Sequence, residues 1–143
     1  MHGIIRNWSK SLVLMAVVFT CYLPVTLLAE DYTIDYYKPG KISVNGERYE
    51  NNIVILPDGS IEPGPDDMHY VSLSEIEDII SIPGIRTLVI GTGYDGKGTL
   101  SNKLIKVVRK KGVELKMMLT KDAMKFLNET PKEGLVAMLH LNC

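Results

Sequence analysis

The second half of the sequence alternates short apolar runs with amphipathic segments, and this alternation limits the possible folds more than any other feature. The runs at 87–90, 113–119 and 135–139 have the length and composition of strands. The segment at 101–111 and the segment that Thr120 is predicted to cap each place apolar residues on one face of a helix. Because right-handed crossovers make successive strands parallel, the sequence predicts a β-α-β-α-β unit and the α/β class.

The first half of the domain, over residues 34–61, has the pattern of β-structure. Residues 41–44 alternate, Asn45-Gly46 is a favoured two-residue hairpin turn, and residues 47–49 form the return strand. The apolar run at 53–56 predicts a strand buried on both faces. Ser72 with Glu75 makes a capping box before a short helix. We expect the hairpin strands to add an antiparallel portion to the sheet.

Residues 1–30 form a hydrophobic leader, and residues 31–143 form a single α/β domain. Arg6 and Lys10 precede an uncharged apolar run that ends at Ala29, as in a signal peptide or a membrane anchor. We therefore predict an exported domain, or one tethered through residues 12–29, that lies outside the cytoplasm. The alternative is a misassigned start codon, which would leave the domain cytoplasmic.

Charge and cysteine content exclude two classes of protein. The formal net charge is −1, which gives no electrostatic basis for binding nucleic acid. The basic run on the helix at 101–111 lacks interleaved aromatic residues and is interpreted as solvated surface. The two cysteines, Cys21 and Cys143, are not a disulfide framework because Cys21 lies in the leader.

The sharpest motif is the segment GTGYDGKGT at 91–99, which follows a strand and leads to a helix, as a phosphate-binding loop does. Three features oppose this interpretation: Gly98 occupies a Ser/Thr position, Asp95 is negative, and the helix begins only near Ser101. The alternative is a glycine-rich connection. The residues that would bind a ligand are Gly91, Gly93, Gly96, Lys97 and Thr99.

Three side chains with metal-binding or nucleophilic chemistry are His69, His140 and Cys143. Residues three apart in a strand point to opposite faces, so His140 and Cys143 converge only if the chain turns at Asn142. Cys143 with His140 as base could act as a nucleophile, but the sequence identifies no third group that would orient the histidine. We therefore predict no metal, no cofactor and no defined catalytic residue.

The order of these signals resembles one family of small domains of unknown function. The resemblance rests on the NG hairpin, the VILPDG turn, the LVIGTG strand end, the helix from Thr120 to Asn128 and the closing LHLNC. This Mth-like family has members in archaea, bacteria and animals, and includes an adipogenesis-associated protein and a mitochondrial complex I assembly factor. The resemblance implies a three-layer fold around a mixed sheet. The positions that match its motif are His69, Gly91, Gly93, Thr120, Asn128, His140 and Cys143.

Two hypotheses about function follow. The leading one is a non-enzymatic interaction or assembly module with an unidentified protein partner, because the family has no established activity and the sequence has no convincing catalytic set. The alternative is a domain that binds phosphate, a nucleotide or another small molecule through residues 91–99, and that could then be an enzyme. Thermal unfolding with a ligand panel would separate the two.

Overall fold

The computed structural model describes residues 31–143, so the predictions for the leader, residues 1–30, lie outside the described residues. Within residues 31–143, no helix is long and apolar enough to cross a bilayer. The elements of this part, in chain order, are β1 (Ile34–Lys38), β2 (Lys41–Val44), β3 (Glu47–Tyr49), β4 (Ile53–Ile55), β5 (Ile61–Pro63), α1 (Leu73–Ile80), β6 (Thr87–Thr92), α2 (Asn102–Lys110), β7 (Glu114–Met118), α3 (Thr120–Glu129) and β8 (Leu135–His140).

The described strands form two sheets. The larger sheet has the order β5-β4-β8-β6-β7, with β6 parallel to both β7 and β8 and with β4 antiparallel to β5 and β8. This arrangement confirms the predicted β-α-β-α-β unit and the mixed sheet. Contrary to the expectation from sequence, the hairpin strands do not join that sheet. They form a separate antiparallel sheet with the order β1-β2-β3, and β4 and β5 supply the antiparallel portion instead.

Three layers result because successive side chains of the central strands point to opposite faces. Leu88 and Ile90 of β6 pack with α1 and α2 in one buried cluster, whereas Val89 packs in the other. The second cluster also contains residues of α3 and of the small sheet, including Leu127 and Ile42. The small sheet and α3 therefore cover one face of the large sheet, and α1 and α2 cover the other.

Local signals in the sequence are confirmed at several turns and helix ends. Asn45 and Gly46 both have positive φ, at 50° and 79°, as a two-residue hairpin turn requires. Ser72 and Glu75 form the predicted capping box of α1. Gly112, with φ of 78°, follows the end of α2 and satisfies the left-handed conformation common there.

The predicted capping role of Thr120 is wrong. Thr120 is the first residue of α3 rather than its N-cap, and Leu119 occupies the cap position without a side-chain hydrogen bond. The Thr120 hydroxyl is fully buried and is bonded to two other segments of the chain. A hydroxyl committed to these longer-range bonds is not available to cap its own helix.

Candidate functional site at the carboxyl edge of the sheet

The carboxyl ends of the three parallel strands β6, β7 and β8 lie at one edge of the large sheet. Thr92 at the end of β6 pairs with His140 at the end of β8, and Gly91 pairs with Met118 at the end of β7. In open α/β sheets, ligands bind beyond the carboxyl ends of the strands. The residues beyond this edge are therefore the first place to look for a functional site.

His69, His140 and Cys143 converge at this edge. The Nε2 atom of His140 lies 3.4 Å from Sγ of Cys143, which in turn lies 3.7 Å from Nε2 of His69. All three donor atoms lie within 4.8 Å of one another, and the two imidazole rings meet edge to face with centroids 5.8 Å apart. His140 and Cys143 do not point to opposite faces, as they would in a continuous strand, because β8 ends at His140 and the chain leaves the strand there.

Asn52 orients the ring of His140, and no pattern in the sequence singles it out. Its Oδ1 lies 3.0 Å from Nδ1 of His140 and accepts a 3.0 Å hydrogen bond from the backbone N–H of Leu141. Its Nδ2 donates to the carbonyl of Pro65 at 2.8 Å. The two backbone partners fix the orientation of the amide, since a reversed amide would set two donors against each other at Leu141.

The tautomer of His140 follows from this orientation. Because Oδ1 of Asn52 can only accept, Nδ1 of His140 must carry the hydrogen, and Nε2 presents a lone pair to the thiol of Cys143. Burial lowers the pKa of His140 below its ordinary value of 6.5; nearby His69 acts in the same direction, and Asp67 partly opposes both. The imidazole is therefore neutral near pH 7.

The other two members of the cluster reach it from exposed positions. His69 lies in the loop before α1, where its backbone N–H donates to the carboxylate of Asp67 at 2.8 Å. The neighbouring Met68 is fully buried in the core cluster that contains α1 and α2. Cys143 is a free, exposed cysteine. A neutral imidazole, an accessible thiol and a second imidazole can together bind a soft metal ion. The pair formed by Cys143 and His140, with Asn52 behind it, can also activate a thiol.

The glycine-rich segment 91–99 holds this edge together through its backbone. The N–H of Gly93 donates to the Thr120 hydroxyl, and the N–H of Gly98 donates to the carbonyl of Thr92. The N–H groups of Tyr94, Asp95 and Lys97 donate to the carbonyls of residues 142 and 143. A phosphate loop presents these groups to its ligand, whereas here they point into the fold. Of the five residues predicted to bind a ligand, Gly93 and Lys97 therefore have backbone N–H groups that are already bonded within the fold.

The glycines of this segment are explained by close packing against the site. A Cβ at Gly98 would lie 2.9 Å from the His140 ring, and one at Gly91 would lie 2.8 Å from the side chain of Leu139. At Gly93, where φ is 94°, a Cβ would lie 2.6 Å from the carbonyl carbon of Cys143. Side chains at these positions would displace the residues that build the cluster.

Thr120 and Asn128, which also match the family motif, have different roles. Thr120 lies directly behind the cluster, where it accepts from Gly93 and donates to the carbonyl of His140 at 2.6 Å. Asn128 lies apart from the site, at the end of α3. It accepts from the N–H of Ile34 at 2.8 Å and donates to the carbonyl of the same residue at 2.9 Å, so it ties the small sheet to the helix.

Comparison with known families and structures agrees with this architecture. Residues 34–140 match the model of a protein family described as a protein of unknown function (DUF498/DUF598). The chain belongs to this family. The match spans the motif positions from His69 to His140, and it confirms the resemblance found in the sequence. A comparison with curated proteins gave no match.

Solved structures similar to this DUF498/DUF598 chain come from archaea and bacteria. The conserved hypothetical protein PH1505 from Pyrococcus horikoshii OT3 is 26% identical, with a TM-score of 0.69 over 78% of this chain and 99% of that one. A Mth938-like domain from Bordetella pertussis is 20% identical, with a TM-score of 0.64 over 83% and 89%. An outer membrane protein from Bartonella henselae is 20% identical, with a TM-score of 0.66 over 81% and 99%. These similarities establish the open α/β fold of the family.

Proposed function

We propose that this domain is a non-enzymatic interaction module that contacts a protein partner through the carboxyl edge of its large sheet. The observation that supports this proposal is the position of its exposed apolar side chains. Tyr70, Tyr94 and Leu119 are 82%, 59% and 41% exposed, and each lies on a segment that forms this edge. Large side chains exposed together, and tyrosine in particular, are typical of protein interfaces.

The contacts around these side chains support one continuous surface. Tyr70 follows His69, and the His69 side chain contacts Cys143. The carbonyl of Asn142, the residue before Cys143, accepts a hydrogen bond from the N–H of Tyr94. The side chain of Leu119 lies against Gly96, so that a Cβ added at Gly96 would be 3.0 Å from the Leu119 side chain. We call the residues Tyr70, Tyr94, Leu119, His69 and Cys143 the carboxyl-edge surface.

Charge around the carboxyl-edge surface indicates the chemistry of the partner. Asp66, Asp67 and Asp95 border it, against the single ammonium group of Lys97 on the same loops, and all four residues are exposed. A partner with an apolar centre and a basic rim would complement this pattern, since opposite charges at the rim favour encounter and suppress incorrect partners.

An interaction module fits this edge better than an enzyme with a substrate pocket. Five N–H groups of segment 91–99 that could otherwise stabilise a developing negative charge are already bonded within the fold, those of Gly93, Tyr94, Asp95, Lys97 and Gly98. A surface cavity of about 460 Å³ lies instead at the opposite edge, where Arg86 and Gly134 precede β6 and β8. That cavity is not lined by any residue of the cluster.

Site-specific photo-crosslinking in cells that express the full chain would test the interaction module. A benzophenone amino acid at Tyr94 or Tyr70 should give a discrete crosslinked species, whereas the same group at Tyr36, which is 48% exposed on β1, should not. Leu119→Ser should reduce the crosslink at Tyr94. Crosslinking only at Tyr36, or none at the carboxyl edge, would contradict the proposal.

We further propose that residues 12–29 export or tether the domain, so that it lies outside the cytoplasm. The basic residues before this apolar run support the orientation, and one structural relative is described as an outer membrane protein. Full-chain fusions at residue 143 to alkaline phosphatase and to a fluorescent protein distinguish the two sides. Fluorescence without phosphatase activity, together with an intact mass that shows a protein starting after the leader, would instead favour the misassigned start codon and a cytoplasmic domain.

A further inference from the structure

We propose that Nε2 of His69, Nε2 of His140 and Sγ of Cys143 form a three-ligand site for a borderline or soft divalent metal ion, with Zn²⁺ as the expected occupant. A thiolate with two imidazoles is a donor set that suits zinc, cobalt and copper, whereas magnesium and calcium prefer oxygen ligands. This proposal goes beyond the interaction module, because it rests on the spacing and chemistry of the three donor atoms and not on the exposed apolar side chains.

The spacing of the donor atoms agrees with tetrahedral coordination. Zn–N bonds of about 2.0–2.1 Å and Zn–S bonds of about 2.3 Å, at tetrahedral angles, separate nitrogen from sulfur by about 3.5 Å. The two nitrogen–sulfur separations in the cluster are 3.4 Å for His140 and 3.7 Å for His69. A small movement of the exposed His69 side chain would bring the two nitrogens to the same range, from a cluster already within 4.8 Å.

Asn52 supplies the outer support that metal-bound histidines usually have. Such histidines donate their second ring N–H to an oxygen, which fixes the tautomer and directs the other nitrogen at the metal. The bond from Nδ1 of His140 to Oδ1 of Asn52 has this form, and Asn52 is itself held by Leu141 and Pro65. The lone pair of His140 is therefore directed at the cluster by two further segments of the fold, those of Asn52 and Pro65.

The remaining ligands are also held in place before any ion binds. Met68, fully buried beside His69, anchors the loop before α1 to the core. The backbone of residues 142 and 143 accepts hydrogen bonds from Tyr94, Asp95 and Lys97, which fixes the position of Cys143. Because His69 and Cys143 are both exposed, an ion can enter from solvent, and a fourth coordination position faces water.

Cys143 and His140 could also form a thiol nucleophile with its base. The requirement for His69 distinguishes this nucleophile from a metal site. A thiol activated by His140 and oriented by Asn52 needs no contribution from His69. A three-ligand metal site needs all three donors. The effect of removing His69, which is exposed and whose loss should leave the fold intact, is therefore the deciding measurement.

Cobalt binding to the purified full chain in mild detergent tests the site. A Cys21→Ser background removes the other cysteine, so that thiolate absorption reports Cys143 alone. Titration with Co²⁺ should saturate at a single equivalent, with a thiolate-to-cobalt charge-transfer band and intense ligand-field bands of a tetrahedral site. Addition of Zn²⁺ should abolish both and raise the thermal unfolding midpoint.

Variants then identify the ligands. Cys143→Ser should remove the charge-transfer band, and His69→Ala should weaken Co²⁺ affinity more than tenfold. Tyr36→Ala, at an exposed position of β1, should leave the affinity unchanged. Absence of the tetrahedral spectrum in the wild type, or equal affinity in His69→Ala and the wild type, would overturn the proposal. Alkylation of Cys143 that depends on His140 but not on His69, without metal binding, would assign the thiol nucleophile instead.

Discussion

Oδ1 of Asn52 lies 3.0 Å from Nδ1 of His140 and joins the segment before β4 to the end of β8, across 88 residues of sequence. The same oxygen accepts from the N–H of Leu141, and the amide nitrogen donates to Pro65. One buried side chain therefore satisfies three polar groups on two other segments, the end of β8 and the loop at Pro65. Its loss has consequences for both stability and the candidate site.

Asn52→Ala should lower the free energy of unfolding by about 2–3 kcal/mol, because it leaves the Leu141 N–H and the His140 Nδ1–H buried without a partner. Asn51→Ala, at the exposed neighbouring position, is the matched control and should change stability by less than about 0.5 kcal/mol. Urea denaturation of both variants measures the difference. Equal effects at the two positions would show that the Asn52 bonds contribute little.

Thr120→Val should destabilise the domain by about 1–3 kcal/mol although valine has nearly the same shape as threonine. The substitution removes the acceptor of the Gly93 N–H and the donor to the His140 carbonyl, both buried. Thr33→Val, at an exposed position, controls for the change of residue type. A Thr120→Val protein as stable as the Thr33→Val protein would mean that water replaces both bonds.

Gly93→Ala should be more harmful than Gly112→Ala, although both glycines have positive φ. A Cβ at Gly112 meets nothing within 4 Å, so this variant reports the conformational cost alone, about 1–2 kcal/mol. A Cβ at Gly93 collides with the backbone of residues 142–143, which should add a further 1–3 kcal/mol or so. Denaturation curves, with alkylation rates of Cys143 as a second readout, measure both effects; equal losses would contradict the collision.

Lys97→Ala should leave thermal stability unchanged, with and without inorganic phosphate or nucleotides. The Lys97 side chain is exposed, and its backbone N–H already donates to the carbonyl of Cys143. A ligand at a hundred times its dissociation constant would add about 2.7 kcal/mol, which a thermal melt resolves easily. A midpoint that rises with phosphate in the wild type, but not in Lys97→Ala, would restore the phosphate-binding hypothesis.

Tyr32→Phe should reduce the loss of stability above about pH 10, and Tyr37 and Tyr49, whose pKa values burial also raises, should retain the remainder. Burial, and to a lesser extent the charge of Asp31, raises the pKa of Tyr32 well above its ordinary 10.0, so the folded protein keeps a proton that the unfolded chain releases. The free energy of unfolding therefore falls as pH rises past about 10. The buried hydroxyl has no partner among the described residues, so at pH 7 the variant should be as stable as the wild type or slightly more stable.

Denaturation curves between pH 7 and 11 measure the effect of Tyr32→Phe. Tyr36→Phe, at an exposed position, should retain the loss. Lys132, whose ammonium lies 4.8 Å from the Tyr32 ring centroid, has a pKa lowered by burial. The contribution of Lys132 to the free energy of unfolding therefore rises with pH below about 10.5. This rise occurs in the wild type and in Tyr32→Phe alike, so it largely cancels when the two pH profiles are compared. Superimposable pH profiles of Tyr32→Phe and the wild type would contradict the prediction.

The sequence was sufficient for the elements that depend on local pattern. The β-α-β-α-β unit, the Asn45-Gly46 turn and the capping box at Ser72 each follow from residues within a few positions of one another. Separation of the hairpin strands into their own sheet depends on burial against distant elements, including α3. Periodicity within a strand does not report which sheet that strand joins.

Only the site residues whose side chains have metal-binding or nucleophilic chemistry could be predicted from the sequence. His69, His140 and Cys143 could be selected by residue type, but the turn that brings them together follows from where β8 ends. No pattern in the sequence marks Asn52, because its partner is 88 positions away. Thr120 looked like a helix cap for the same reason, since its actual partners are 20 and 27 positions distant.

The position of β8 also determines how the domain can be assembled during synthesis. This strand follows the other described strands in the chain, yet it lies between β4 and β6 in the middle of the large sheet. Until residues 135–140 leave the ribosome, the sheet can exist only as two separate pairs of strands with open edges. The large sheet can therefore be completed only after β8 has been synthesised, and its unfinished halves are the species most exposed to misassociation.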